Sequence, residues 1–229
     1  MDTTMVGIPV AELDLETRAQ FIWRTYFHVA LAVVLFALVE VALFQSGASE
    51  RIAVGLMSVS WLLVLGAFML VGWLASRTAQ RVQSVPLQYL ALAGYVVAQA
   101  VLFVPLIYIA EYKAPGVTQS AAVVTILGSV GLMGVAHITR KDFSFLRGLL
   151  MWGGVLALVA IIAAVLFGFQ LGTWFSVLMI GFAGAAVLYD TSAILHYYPQ
   201  ERYVAASLQL FASIALMFWY VLRLMSSRN

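Results

Sequence analysis

The sequence predicts an all-α integral membrane protein with seven transmembrane helices, and three observations carry that prediction. Hydrophobic residues make up 64% of the 229, and charged residues only 10%. Soluble domains hold roughly 45–50% and about 25% respectively, so this chain has too little core for its apolar surface and too few charges to coat the outside. The charges also bracket long charge-free runs at 52–76, 82–110, 114–139, 148–189 and 203–222. Those runs suit the ~20 apolar residues that cross a hydrocarbon core of roughly 30 Å.

The elements follow in order. Residues 1–24 form an N-terminal arm. Within it, Leu15, Ala19 and Ile22 recur at helical spacing among Glu12, Asp14, Glu16 and Arg18, which suggests a short helix lying in the interface. The acids of this arm also distinguish it from a secretory signal. Residues 25–229 form the membrane domain. Its helices are expected near 25–45, 53–75, 87–110, 117–138, 148–168, 172–196 and 203–225. The run at 148–189 is long enough for two spans, and Gly168-Phe169-Gln170-Leu171-Gly172 supplies the turn between them. Pro105 can kink the end of the third helix. Gly181 and Ala185 form a small-xxx-small pair that permits close helix contact.

Basic residues set the orientation. With the N-terminus inside, inner segments hold Arg18, Arg24, Arg77, Arg81, Arg140, Lys141, Arg147 and Arg202. Outer segments hold Arg51, Lys113, Arg223 and Arg228. The excess favours a cytoplasmic N-terminus.

Several functions are excluded. A net charge of +2 without a basic stripe gives no footprint for nucleic acid. With no cysteine there are no disulfides and no thiolate ligands. The lysines, Lys113 and Lys141, fall in loops, so a retinal Schiff base has no intramembrane anchor. His28, His137 and His196 all sit near one membrane face, with neither a protease dyad nor zinc-ligand spacing. No phosphate-binding glycine loop occurs. The chain reads as a non-enzyme without cofactor or metal.

Two acids stand inside spans. An ionisable group there costs at least ~2.5–3.5 kcal/mol on insertion scales and needs a reason. Glu40 lies toward the outer end of the first span, where a structural or interfacial role is expected. Asp190 lies about 9 Å from the centre of the sixth span, within Leu188-Tyr189-Asp190-Thr191-Ser192. Tyr189, Thr191, Ser192 and His196 give it polar company, and the last span carries Ser207, Gln209 and Ser213. Asp190 and Ser213 fall at comparable depths. The short Tyr197–Arg202 connection makes their helices antiparallel neighbours, so the two side chains can meet. Desolvation disfavours a charged carboxyl buried without a cation, which makes Asp190 either a proton-responsive switch or a neutral structural acid.

The residues Val187-Leu188-Tyr189-Asp190-Thr191-Ser192-Ala193-Ile194-Leu195-His196 and Tyr203-Val204-Ala205-Ala206-Ser207-Leu208-Gln209-Leu210-Phe211 resemble the Bax inhibitor (TMBIM) family, bacterial branch. The loop Thr139-Arg140-Lys141-Asp142-Phe143-Ser144-Phe145-Leu146 and the opening Arg24-Thr25-Tyr26-Phe27-His28 are similar to it as well. The resemblance implies a seven-helix bundle with a central, hairpin-like seventh helix. It also implies a pH-sensitive calcium leak in a bacterial inner membrane, regulated by two aspartates. Asp190 matches the first of these. Ser213 stands where the second is expected, and one aspartate with hydroxyls is a poor calcium site. No arginine lies within the second span to pair with Asp190; Arg77 is at its inner end.

Two functions are therefore expected. The first is a calcium or proton leak with Asp190 and Ser213 at the gate. Thr191, Ser192, Tyr189, Glu40 and His196 support it. The alternative is a non-transporting regulator or subunit of a membrane complex, such as a quality-control protease assembly. The expected partners are the bilayer, calcium or protons, and that protease class.

Overall fold

The computed structural model describes residues 8–82 and 84–227. Eight helices run in order: α1 Leu15–Gln45, α2 Ala48–Met57, α3 Trp61–Arg81, α4 Val85–Lys113, α5 Val117–Thr139, α6 Leu146–Phe167, α7 Thr173–His196 and α8 Tyr203–Ser226. Short 3-10 turns precede α1 and α8, and no strand occurs among the described residues. Among the described residues, all the helices except α2 are long and apolar enough to cross a membrane, seven in total.

Three local expectations are corrected. The second span does not start near residue 53. Residues 48–57 form the separate helix α2, and α3 begins only at Trp61. Ser58 ends α2 by donating its hydroxyl to the Gly55 carbonyl at 2.8 Å, a local bond that competes with helix continuation. The N-terminal arm is not a separate interfacial helix either. From Leu15 it is continuous with the first span, so α1 has 31 residues and is about 46 Å long. Asp14 caps it, accepting the Glu16 and Thr17 amides at 3.1 and 3.0 Å. Finally, α8 is one unbroken helix, not a hairpin.

Helix α8 sits at the centre and packs against α1, α3, α4, α5 and α7. Its sequence explains this position. Apolar and small residues surround it on all sides, with Ala205, Ala206 and Ser207 letting neighbours approach closely near its start. Phe103 of α4 stacks on Phe218 of α8 at 5.3 Å, and Phe36 of α1 meets Phe103 edge-on at 5.2 Å. These rings lock α1, α4 and α8 together. By contrast, α6 buries no residue at all and packs mainly on α7 and α3.

The helix termini also follow from sequence. Gly47, Gly116 and Gly168 adopt positive φ at the α1–α2, α4–α5 and α6–α7 turns, a conformation glycine reaches without steric cost. At the α4–α5 turn, the Glu111 carboxylate accepts the Gly116 and Thr118 amides at 2.9 and 3.1 Å. At the opposite end, the arm lies over the α7–α8 turn. The Val10 amide donates to the Tyr198 carbonyl at 3.0 Å, and Pro9 and Pro199 form an antiparallel bridge.

Candidate functional site

The polar centre of the bundle lies where α7 and α8 cross. Asp190, on α7, is 3% exposed, and Ser213, on α8, is 6% exposed. The Ser213 hydroxyl donates to Asp190 Oδ2 at 2.5 Å. The antiparallel turn through Pro199 sets the register that brings them together. Close approach in this region relies on Ala183 and Gly184, both fully or nearly fully buried. A Cβ on Gly184 would stand 3.3 Å from Leu132 Cδ1 and 3.7 Å from Met217 Cε. The expected Gly181–Ala185 contact is not what packs here: a Cβ on Gly181 would meet open space. A different face of α7 packs inward, the one carrying Ala183, Gly184 and Val187.

Asp190 and Ser213 form part of the wall of a cavity of about 1190 Å³ between α3, α4, α6, α7 and α8. Its origin is the loose packing of α6. Tyr189, Gln209 and Gln99 add polarity to the wall near the middle of the bundle, and Ser176 adds more along α7. Arg223, Gln170 and Thr173 line the end near the α6–α7 turn. Arg223 is ten residues beyond Ser213 on α8, about 15 Å along the axis.

The other predicted residues divide by what they touch. Tyr189 shares the cavity with Asp190. Thr191 is fully buried and its hydroxyl has no hydrogen-bond partner among the described residues. Ser192 points its chemistry elsewhere: its hydroxyl accepts the Phe143 amide at 3.0 Å, tying the α5–α6 loop to α7. His196 Nδ1 donates to the Ser192 carbonyl at 2.8 Å, so it caps the end of α7. Glu40 does not join this site. It is buried, neither of its oxygens has a hydrogen-bond partner among the described residues, and it does not line the cavity. Arg77 packs over the Trp73 ring at 4.9 Å. Among the described residues, no group of three or more His, Asp or Glu is placed to hold a metal.

Sequence reasoning missed the clamp beside the site. The Tyr197 hydroxyl donates to Asp142 Oδ2, and the Ser144 amide donates to Asp142 Oδ1 at 2.8 Å. These bonds, Tyr197 first, hold the Asp142 carboxyl below the usual carboxylate range and push the Tyr197 phenol up. Nothing in the local spacing of Asp142 and Tyr197 marks them as partners, since 55 residues separate them.

The family model described as "Inhibitor of apoptosis-promoting Bax1" matches residues 18–229, from the first turn of α1 through α8. The chain belongs to the Bax inhibitor family. A curated relative, the Pseudomonas aeruginosa "Uncharacterized protein PA2604", is 35% identical over 111 residues. That match covers 47% of this chain and 49% of the relative, so the chain spans about half the length of the curated relative it matches. In this Bax inhibitor family protein the buried polar pair is one carboxyl and one hydroxyl, held by adjacent antiparallel helices.

Proposed function

We propose that this Bax inhibitor family protein is a pH-sensitive cation or proton leak, with Asp190 as its gating residue and Ser213 as the latch. The observation that carries the reading is the 2.5 Å Ser213–Asp190 hydrogen bond on the wall of the large cavity.

The chemistry follows from desolvation. A protonated Asp190 is neutral and accepts the Ser213 hydroxyl, so the α7–α8 contact stays closed. An ionised Asp190 in the same place carries an uncompensated charge, which costs several kcal/mol in a dry interior. Water or a cation entering the cavity relieves that cost. Ionisation and hydration of the cavity are therefore coupled, and raising the pH favours the conducting state. The titratable neighbours are Tyr189 on α7 and Tyr198 in the following turn, both acids and neither a counter-cation. A proton or monovalent cation suits one carboxylate better than calcium, which prefers several oxygen ligands with more than one charge. The positive-inside count supports a cytoplasmic N-terminus, and the resemblance to the bacterial branch supports the inner membrane.

Reconstitution in liposomes tests this. Proton and calcium fluxes measured across neutral pH are expected to rise with pH, with calcium the slower ion. Flux that Asp190→Asn leaves unchanged contradicts the assignment.

A second reading draws on the same contact. A carboxyl that is 3% exposed and already hydrogen-bonded also suits a static core. In that case the protein regulates, or is a subunit of, a membrane complex such as a quality-control protease assembly. Purification in mild detergent separates the two: a stoichiometric partner without flux supports the second reading.

A further inference from the structure

We propose that the cavity seats an anionic phospholipid, with its phosphate on Arg223 and one acyl chain lying between α3, α6 and α7. The inference stands on the cavity's other end, about 15 Å from Asp190, and holds whether or not the cavity conducts.

Arg223 lies in the last turn of α8 and is half-buried. Its Nη2 donates to the Leu171 carbonyl at 2.7 Å, which fixes the guanidinium at the cavity mouth. A guanidinium has five N–H donors. The others have no hydrogen-bond or carboxylate partner among the described residues. A planar cation held by one bond among the described residues, with further donors to offer, is complementary to a phosphate.

The mouth lies at headgroup depth. Trp61 of α3 and Trp219 of α8 stack there at 5.9 Å, with Tyr220 alongside. Amphipathic rings of this kind mark the membrane interface. Gln170 and Thr173 at the same rim offer further polar groups to a headgroup.

Below the mouth the wall is largely apolar, with Leu65, Phe68, Leu158 and Ile161 among its residues. Along α6 the lining extends from Leu150 to Val165, about 22 Å at the helical rise. One leaflet's share of the hydrocarbon core is about 15 Å, so the cavity is deep enough for one acyl chain. Helix α6 buries no residue in the protein, so this wall is the most loosely packed side of the bundle. A cavity with a cation at headgroup depth and an apolar shaft of chain length fits a lipid better than a free anion or a soluble solute.

The test uses the full-length protein in nanodiscs and in mild detergent, titrated with phosphatidylglycerol or phosphatidylcholine and read by native mass spectrometry. One phosphatidylglycerol per chain is expected to be retained in preference to phosphatidylcholine by about fivefold, the worth of one cation near an anionic surface. Arg223→Gln is expected to abolish the preference and Arg223→Lys to keep part of it. Ala157→Trp, which fills the shaft and leaves Arg223 in place, is expected to lower retention of both lipids. Lys141→Gln, at the other end of the bundle, is expected to change nothing. Equal retention of the two lipids, a preference that survives Arg223→Gln, or displacement of the lipid by inorganic phosphate alone overturns the proposal. Because the readout is lipid retention, failure of the leak leaves this result unaffected.

Discussion

Glu40 and Asp190 are both carboxyls inside membrane spans, and both are buried, at 7% and 3% exposure. Asp190 receives a hydroxyl from Ser213 and borders a cavity. Glu40 has two enclosed oxygens without a hydrogen-bond partner among the described residues, and it does not line that cavity. Sequence position already sets them apart, with Glu40 toward a span end and Asp190 deeper among polar residues. What separates them further is the helix opposite: α8 presents a serine to α7, whereas no described residue hydrogen-bonds the acid on α1. An acid with a partner and room for water can change state where it sits. A sealed acid without a partner carries only a cost.

This contrast can be sharpened by substitution. The largest expected effect is a gain of function at the partner. Ser213→Asp places a second carboxyl beside Asp190, and two interacting acids titrate in separated steps. Flux is then expected to show two pH transitions, and calcium to inhibit or bind where it did not before, as measured by calcium-dependent thermal stabilisation. Next comes Glu40→Met. It removes an unsatisfied buried acid at similar length, and is expected to raise stability by ~1–3 kcal/mol in detergent unfolding. A loss of stability would mean that Glu40 has a partner. Third, the Asp190→Asn and Ser213→Ala double-mutant cycle should give a coupling of ~0.6 kcal/mol, and at most ~1.7, the range for hydrogen bonds between membrane helices. The corresponding cycle between Glu40 and Ser213 should give none.

The smallest effect is expected at the loop clamp. Asp142 is held below its usual range in the folded protein. Its contribution is therefore present above the unfolded carboxylate pKa of about 3.9, and is lost as pH falls through the lowered folded value. Tyr197→Phe should remove that acid dependence and little else, as followed by proteolysis of the α5–α6 loop between neutral and acidic pH.

The bundle was legible because bilayer thickness fixes span length, so charge-free runs translate directly into helices. The Asp190–Ser213 meeting was legible for the same reason: a short connection and two depths counted from one end determine which residues share a level. Where several local states satisfy the same composition, the reading failed. Charge counting cannot separate residues 52–57 from the span that follows, because Ser58 and Ser60 break the helix without adding charge. Nor does it show that α1 begins at Leu15, since a helix extending beyond the hydrocarbon tolerates Glu16 and Arg18. Choosing Gly184 over Gly181 as the contact glycine required the azimuth of α7, which a rotation of one residue changes. The Asp142–Tyr197 clamp and the Arg223–Leu171 bond join segments far apart in sequence, and no periodicity encodes them.

The central claim is that Asp190 is the acid that responds to pH while Glu40 is inert. Proton flux into liposomes, measured against pH for the unaltered protein, Asp190→Asn and Glu40→Gln, tests it directly. Flux that rises with pH in the unaltered protein and in Glu40→Gln, but is low and flat in Asp190→Asn, is the predicted result. A pH response that survives in Asp190→Asn and disappears in Glu40→Gln would contradict it.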